Sequence, residues 1–197
     1  MKNLTKLLFF SLTATLYAET DSFVTYNRFA QSYNQQDNTE NKNVVELRKK
    51  ARQRMRLDND AYSTDQQEEI EKLYQSINRK WQKADGKKAL KELLKKYKNA
   101  NRTGCAILYL GQITEGRTRE EYLNQAITEY NDSWYGDGVQ VGAYARYLLG
   151  VYYQKKRQAN KAEKLFDEIK TQYPDSIDHQ GTALVELIEK QNRLFKK

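Results

Sequence analysis

Two side chains in this sequence have the chemistry for nucleophilic or proton-transfer work at neutral pH, and each occurs once. His179 is the only histidine and Cys105 the only cysteine. His179 stands in Asp175-Ser176-Ile177-Asp178-His179-Gln180. Its carboxylate neighbour Asp178 is adjacent in sequence, so along a helix the two would face different sides. That segment reads as the start of a terminal helix, with Asp175 or Ser176 as its cap. Cys105 is followed by Ala106, Ile107 and Leu108, the setting of a packed thiol, and nothing in the sequence supplies it with a base. No group of His, Cys and carboxylates has metal-site spacing. No G-x-x-x-x-G-K phosphate loop and no G-x-G-x-x-G fingerprint occurs. The residues therefore point to no catalytic site, no metal and no cofactor, and function must be sought in binding.

The elements that would position binding residues are helices. Apolar stripes at spacing three and four predict helices at about 43–57, 66–83, 87–99, 103–114, 118–131, 140–156, 159–172 and 177–195. In the sixth, Ala145, Leu148, Leu149, Tyr152 and Tyr153 share one side. In the seventh, Ala162, Leu165, Phe166, Ile169 and Tyr173 do. Breaks are expected at Asp85-Gly86, Asn101-Arg102-Thr103-Gly104, Glu115-Gly116 and Pro174-Asp175.

Residues 143–176 carry the strongest pattern. Leu149-Gly150, Tyr153, Ala162, Phe166 and Pro174, the only proline, follow L-G-x2-Y…A-x3-F…P in a unit of about 34 residues. Each position has a physical task. Glycine inside a helix costs about 1 kcal/mol relative to alanine, so Gly150 implies a close helix crossing. Ala162 gives a small surface at that crossing and Phe166 fills the space beside it. Pro174 stops the second helix. On these residues the chain resembles the tetratricopeptide-repeat (TPR) family, and is similar to exported bacterial members of it. Arg146 stands where the family often has tryptophan.

Weaker copies extend upstream in the same register. Segment 104–137 has Leu110-Gly111, then Leu123 for the alanine, Ile127 for the phenylalanine and Tyr135 for the proline. Segment 70–103 keeps Ala89 and Leu93 but has Ser76-Ile77 in place of Leu-Gly. Trp134-Tyr135-Gly136-Asp137 is a glycine-punctuated loop, either a contact site or a plug over a helix pair.

The resemblance implies an all-α, short TPR-like α-solenoid of about three helix pairs over 66–197, closed by a capping helix. It implies a non-catalytic scaffold that holds a peptide or helix of another protein in a groove lined by the first helix of each pair. Groove positions carried over residue by residue are Tyr144, Tyr147, Val151 and Gln154, and, one repeat earlier, Cys105, Leu108, Gln112 and Glu115. Seam packing is the competing role for each tyrosine. The implied setting is the bacterial cell envelope.

The N-terminus agrees with export. Lys2 and Lys6 precede the apolar run Leu7 to Tyr17, and Ala18 can precede a cleavage site, so 1–18 reads as a secretory signal peptide. The run is shorter than the ~20 residues a bilayer span needs. It has no cysteine at its end, so no lipid anchor is expected. An uncleaved anchor and a buried helix are the alternatives. A lone cysteine allows no internal disulfide. Without Lys2 and Lys6, 32 of the 34 basic residues remain against 26 acidic ones, a net +6. That excess favours acidic surfaces such as anionic lipid or cell-wall polymer. Nucleic acid is not an expected partner of an exported chain.

Residues 19–43 read as a polar linker. Residues 44–65 open with a basic amphipathic helix: Val44, Leu47, Ala51 and Met55 form a narrow stripe among Arg48, Lys49, Lys50, Arg52, Arg54 and Arg56. Such a helix can lie on an anionic membrane or wall polymer, or dock on the repeats. Asn101-Arg102-Thr103 and Asn131-Asp132-Ser133 would be glycan acceptors in a eukaryotic host.

Overall fold

The structure is a computed structural model that describes residues 42–195. The expected signal peptide, and the linker as far as residue 41, lie outside the described residues. The described residues form eight α-helices and no strand: α1 Lys42–Ala61, α2 Thr64–Lys80, α3 Ala84–Lys96, α4 Asn101–Ile113, α5 Gly116–Glu129, α6 Val141–Lys155, α7 Ala159–Gln172 and α8 Leu184–Phe195. The all-α expectation holds. Adjacent helices pack as hairpins, α2 on α3, α4 on α5 and α6 on α7. No helix among the described residues is long and apolar enough to cross a membrane.

The seam of each hairpin is built from the residues that the spacing singled out. A Cβ placed on Gly150 would collide with the Phe166 ring, so only glycine lets α6 and α7 approach this closely. Leu149, Ala162 and Phe166 are buried around that contact. In the preceding hairpin a Cβ on Gly111 would sit 2.5 Å from Leu123 Cδ2. Leu123, not Ile127, therefore takes the part of Phe166. Glycine and partner are 12 residues apart in this hairpin and 16 in the next. The four-residue difference is about one helical turn. The register expected for 104–137 is corrected accordingly.

Each hairpin ends in the same way. Tyr97, Tyr130 and Tyr173 close α3, α5 and α7 with similar backbone angles (φ −133, −126 and −133°). Three residues on, the N–H groups of Ala100, Ser133 and Ser176 each donate to that tyrosine's carbonyl at 3.0 Å. Pro174 directly follows Tyr173, where a missing N–H is harmless and continuation of the helix is blocked. Its counterparts are Lys98 and Asn131, so Tyr135 does not hold the proline position.

Two expected breaks lie inside helices. Asp85-Gly86 is in the first turn of α3, with Gly86 against the Lys80 carbonyl. Asn101 to Gly104 begin α4, whose first N–H is capped from outside by Asp58 Oδ2 at 2.7 Å. Gly104 fits there because its missing side chain leaves room for Ser133. The terminal helix starts at Leu184 rather than 177. Asp178 accepts from the N–H groups of Gln180 (2.9 Å) and Thr182 (2.8 Å), and Gly181 turns at φ 80°. Residues 174–183 are thus a built loop.

Helix α1 docks on the junctions between hairpins. Its stripe, Val44, Leu47 and Ala51, is buried against Trp134, Val139 and Ile177. Asn43 Nδ2 donates to the Asp175 carbonyl at 2.9 Å, Arg48 Nε to that of Asp137 at 3.4 Å and Arg54 Nη2 to that of Asn99 at 2.8 Å. One helix therefore touches all three junctions in turn.

Candidate partner-binding groove

The first helices of successive hairpins lie against one another, α2 with α4, α4 with α6 and α6 with α8. On α6, Tyr144, Tyr147, Val151 and Gln154 follow at spacing three, four and three, which places them on one stripe. All four are half-buried. The Tyr144 and Tyr147 rings stack with centroids 6.0 Å apart and planes at 12°. Burial raises both phenol pKa values, and the carboxylate of Asp178 adds to it, so both hydroxyls stay neutral. They offer rigid apolar faces with a polar tip, the kind of surface that binding sites favour. Gln154 Nε2 donates to Asn192 Oδ1 on α8 at 2.8 Å, so this side chain ties two first helices together.

The α4 positions do not continue this wall as the repeat count proposed. Cys105 and Leu108 have no exposed surface. The loop leading into α6 covers the start of α4: Tyr135 Oη donates to the Cys105 carbonyl at 2.7 Å, and Cys105 Sγ is 3.5 Å from the Trp134 carbonyl oxygen. Of the expected α4 set only Gln112, half-buried, and Glu115, exposed at the start of α5, reach the surface. Tyr109 is half-buried and donates from Oη to the Asn78 carbonyl on α2 at 2.9 Å. The loop around Trp134 is therefore a plug, with Trp134 and Val139 buried under α1.

One pairing escaped the sequence. His179 Nδ1 lies 2.7 Å from Asp137 Oδ2, which joins the loop 174–183 to the loop before α6. The Tyr135 and Tyr144 rings stand nearly perpendicular to the His179 ring at centroid distances of 4.8 and 5.3 Å. Asp178, the sequence neighbour, is occupied in capping its own loop. The pair and its ring contacts hold the end of the Tyr144 stripe in place.

Cys105 is a packed thiol. Burial pushes its pKa up to about 12. It should resist iodoacetamide at pH 8 in the folded protein and react once urea unfolds the chain, read by intact-mass spectrometry. Because the folded-state value is raised, this group's contribution to stability is complete below the ordinary thiol range and falls as pH rises toward 12. Among the described residues no group of three or more His, Cys, Asp and Glu could hold a metal ion.

Arg146 places a planar cation between α6 and α7. It is buried, its guanidinium lies 4.8 Å from the centre of the Tyr173 ring, and its Nε pairs with Glu168 at 2.9 Å. Its Nη1 donates to Asn131 Oδ1 at 2.8 Å. The same oxygen accepts from Tyr173 Oη at 2.9 Å. Asn101, the other potential glycan acceptor, is buried with its amide engaged by Trp134. Its sequon has a structural use.

No family model, no curated protein and no solved structure matches the chain.

Proposed function

We propose that this chain is a non-catalytic protein-interaction scaffold, a short TPR-like solenoid of three helix hairpins closed by α8. A peptide or helix of another protein lies along the first helices, against Tyr144, Tyr147 and Val151, with Gln112, Gln154 and Glu115 toward the rim. One observation carries this reading. A stripe of half-buried aromatic and aliphatic side chains stands on α6, while the residues expected to build the repeat, Leu149, Gly150, Tyr153, Ala162 and Phe166, are all buried in the seam. Seam and wall are different residues, so the wall is available for a guest. The recurring tyrosine junctions and the contact of each first helix with the next support a repeat architecture. The basic, apolar N-terminus supports export to the bacterial cell envelope.

The alternative of an envelope protein held to lipid or wall polymer by α1 has to do without insertion, because the apolar stripe of α1 lies against the junctions. Only electrostatic attraction through its outer face is left to it.

Tyr147→Ala combined with Val151→Ala tests the groove. Truncating two wall contacts should abolish crosslinking to the partner in the native host while the helical melting transition is kept to within about 5 °C. An unchanged set of crosslinked partners would contradict it.

A further inference from the structure

The outer face of α3 carries a run of exposed positive charge. Gly86, Ala89, Leu90 and Leu93 face the hairpin seam. The opposite face presents Lys87, Lys88, Lys91 and Lys95, all exposed and none in an ion pair. Lys87, Lys91 and Lys95 are spaced by four, so their stems follow one stripe at intervals of about 6 Å. The nearby carboxylates are taken by other lysines, Asp85 by Lys80 at 3.7 Å and Glu92 by Lys96 at 4.0 Å. On α1, Lys49 pairs with Glu46 and Arg54 with Asp58, while Lys50, Arg52 and Arg56 are exposed and form a second basic face that serves as the comparison.

We propose that the outer face of α3 is an electrostatic contact for an anionic phospholipid surface. The composition selects that occupant. The strip holds lysine alone, with no arginine and no aromatic residue. Protein interfaces are depleted in lysine and anchored by Tyr, Trp and Arg, so this strip is a poor protein hot spot. Single-stranded nucleic acid needs stacking platforms, which the strip lacks. A row of flexible ammonium groups on the open side of a helix matches a plane of anionic headgroups, and each adds to the attraction independently. Contact through α3 leaves the α6 wall unobstructed, so the inference does not depend on the groove.

The test is vesicle sedimentation of the full chain on phosphatidylcholine, and on phosphatidylcholine with ~30% phosphatidylglycerol. Binding is expected on the anionic vesicles only, and should weaken as salt is raised. The variant Lys87→Glu/Lys91→Glu/Lys95→Glu should lose about 100-fold or more in partitioning, while the matching Arg variant keeps it. The control Lys50→Glu/Arg52→Glu/Arg56→Glu changes net charge equally, on the exposed face of α1, and should lose less than about tenfold. Equal losses from both charge-reversed variants, or none from the α3 variant, would overturn the proposal. So would binding to polyglutamate with no affinity for the anionic vesicles, which would assign the face to an acidic protein.

Discussion

Phe166→Ala is expected to cost about 3–5 kcal/mol of folding stability, and Gly150→Ala about 1–3 kcal/mol, yet the double variant should cost clearly less than the sum. The first change empties a fully enclosed site between α6 and α7. The second drives a methyl group into the buried Phe166 ring. Alanine returns up to about 1 kcal/mol through better helix propensity, so the measured cost of Gly150→Ala is a lower bound on the clash. When both are changed, the new methyl occupies part of the cavity left by the ring. Urea unfolding followed by far-UV circular dichroism measures all three variants. Costs that add to within about 0.5 kcal/mol would mean that the two residues do not meet.

Asn101→Leu is the second large effect, expected to remove about 2–5 kcal/mol and to lower the melting temperature by roughly 5–15 °C. Asn101 is buried and bridges to one residue twice. Its Oδ1 accepts from the Trp134 N–H, and its Nδ2 donates to the Trp134 carbonyl, both at 2.7 Å. Leucine matches the volume but satisfies neither group. The Trp134 N–H is then left without a partner, and its carbonyl keeps only the weak Cys105 thiol, at about 1–3 kcal/mol for each group. The bridge fixes the loop before α6 on the first turn of α4, so the damage should be local. Amide hydrogen exchange should speed up at Trp134 before it does so in α7. A loss below about 0.5 kcal/mol would show that water replaces the amide and that the junction is loose.

What could be read from the sequence follows from how local each signal is. Helix α7 was legible to the residue because Ala162, Phe166 and Ile169 mark its buried face without help from elsewhere. The Gly150 seam was legible because glycine in a helix needs a reason, and a close crossing supplies it. Other features depend on distant residues. Asn-Arg-Thr-Gly reads as a break, yet it starts α4 because Asp58 caps it and Ser133 lies against Gly104. A fixed period of about 34 residues cannot register the turn missing from the α4–α5 hairpin, which moved the expected Gly111 partner from Leu123 to Ile127. Only the helical spacing of the candidate wall was legible. Tyr144, Tyr147 and Val151 lie half-buried on one stripe of α6, as their spacing of three and four requires, whereas Cys105 and Leu108 are covered by a loop whose path no local spacing sets. The Asp137–His179 pair spans 42 residues and leaves no spacing signature.

The account stands or falls on whether a guest lies along the first helices. A photo-crosslinking residue placed in turn at Val151 and Gln112 on the wall, and at Glu163 and Thr171 on the outer face of α7, reads this directly in the native host. Discrete adducts at the two wall positions, competed away by unlabelled protein but not by the Tyr147→Ala/Val151→Ala variant, are the predicted result. Adducts confined to Glu163 and Thr171, or spread evenly over all four positions, would contradict it.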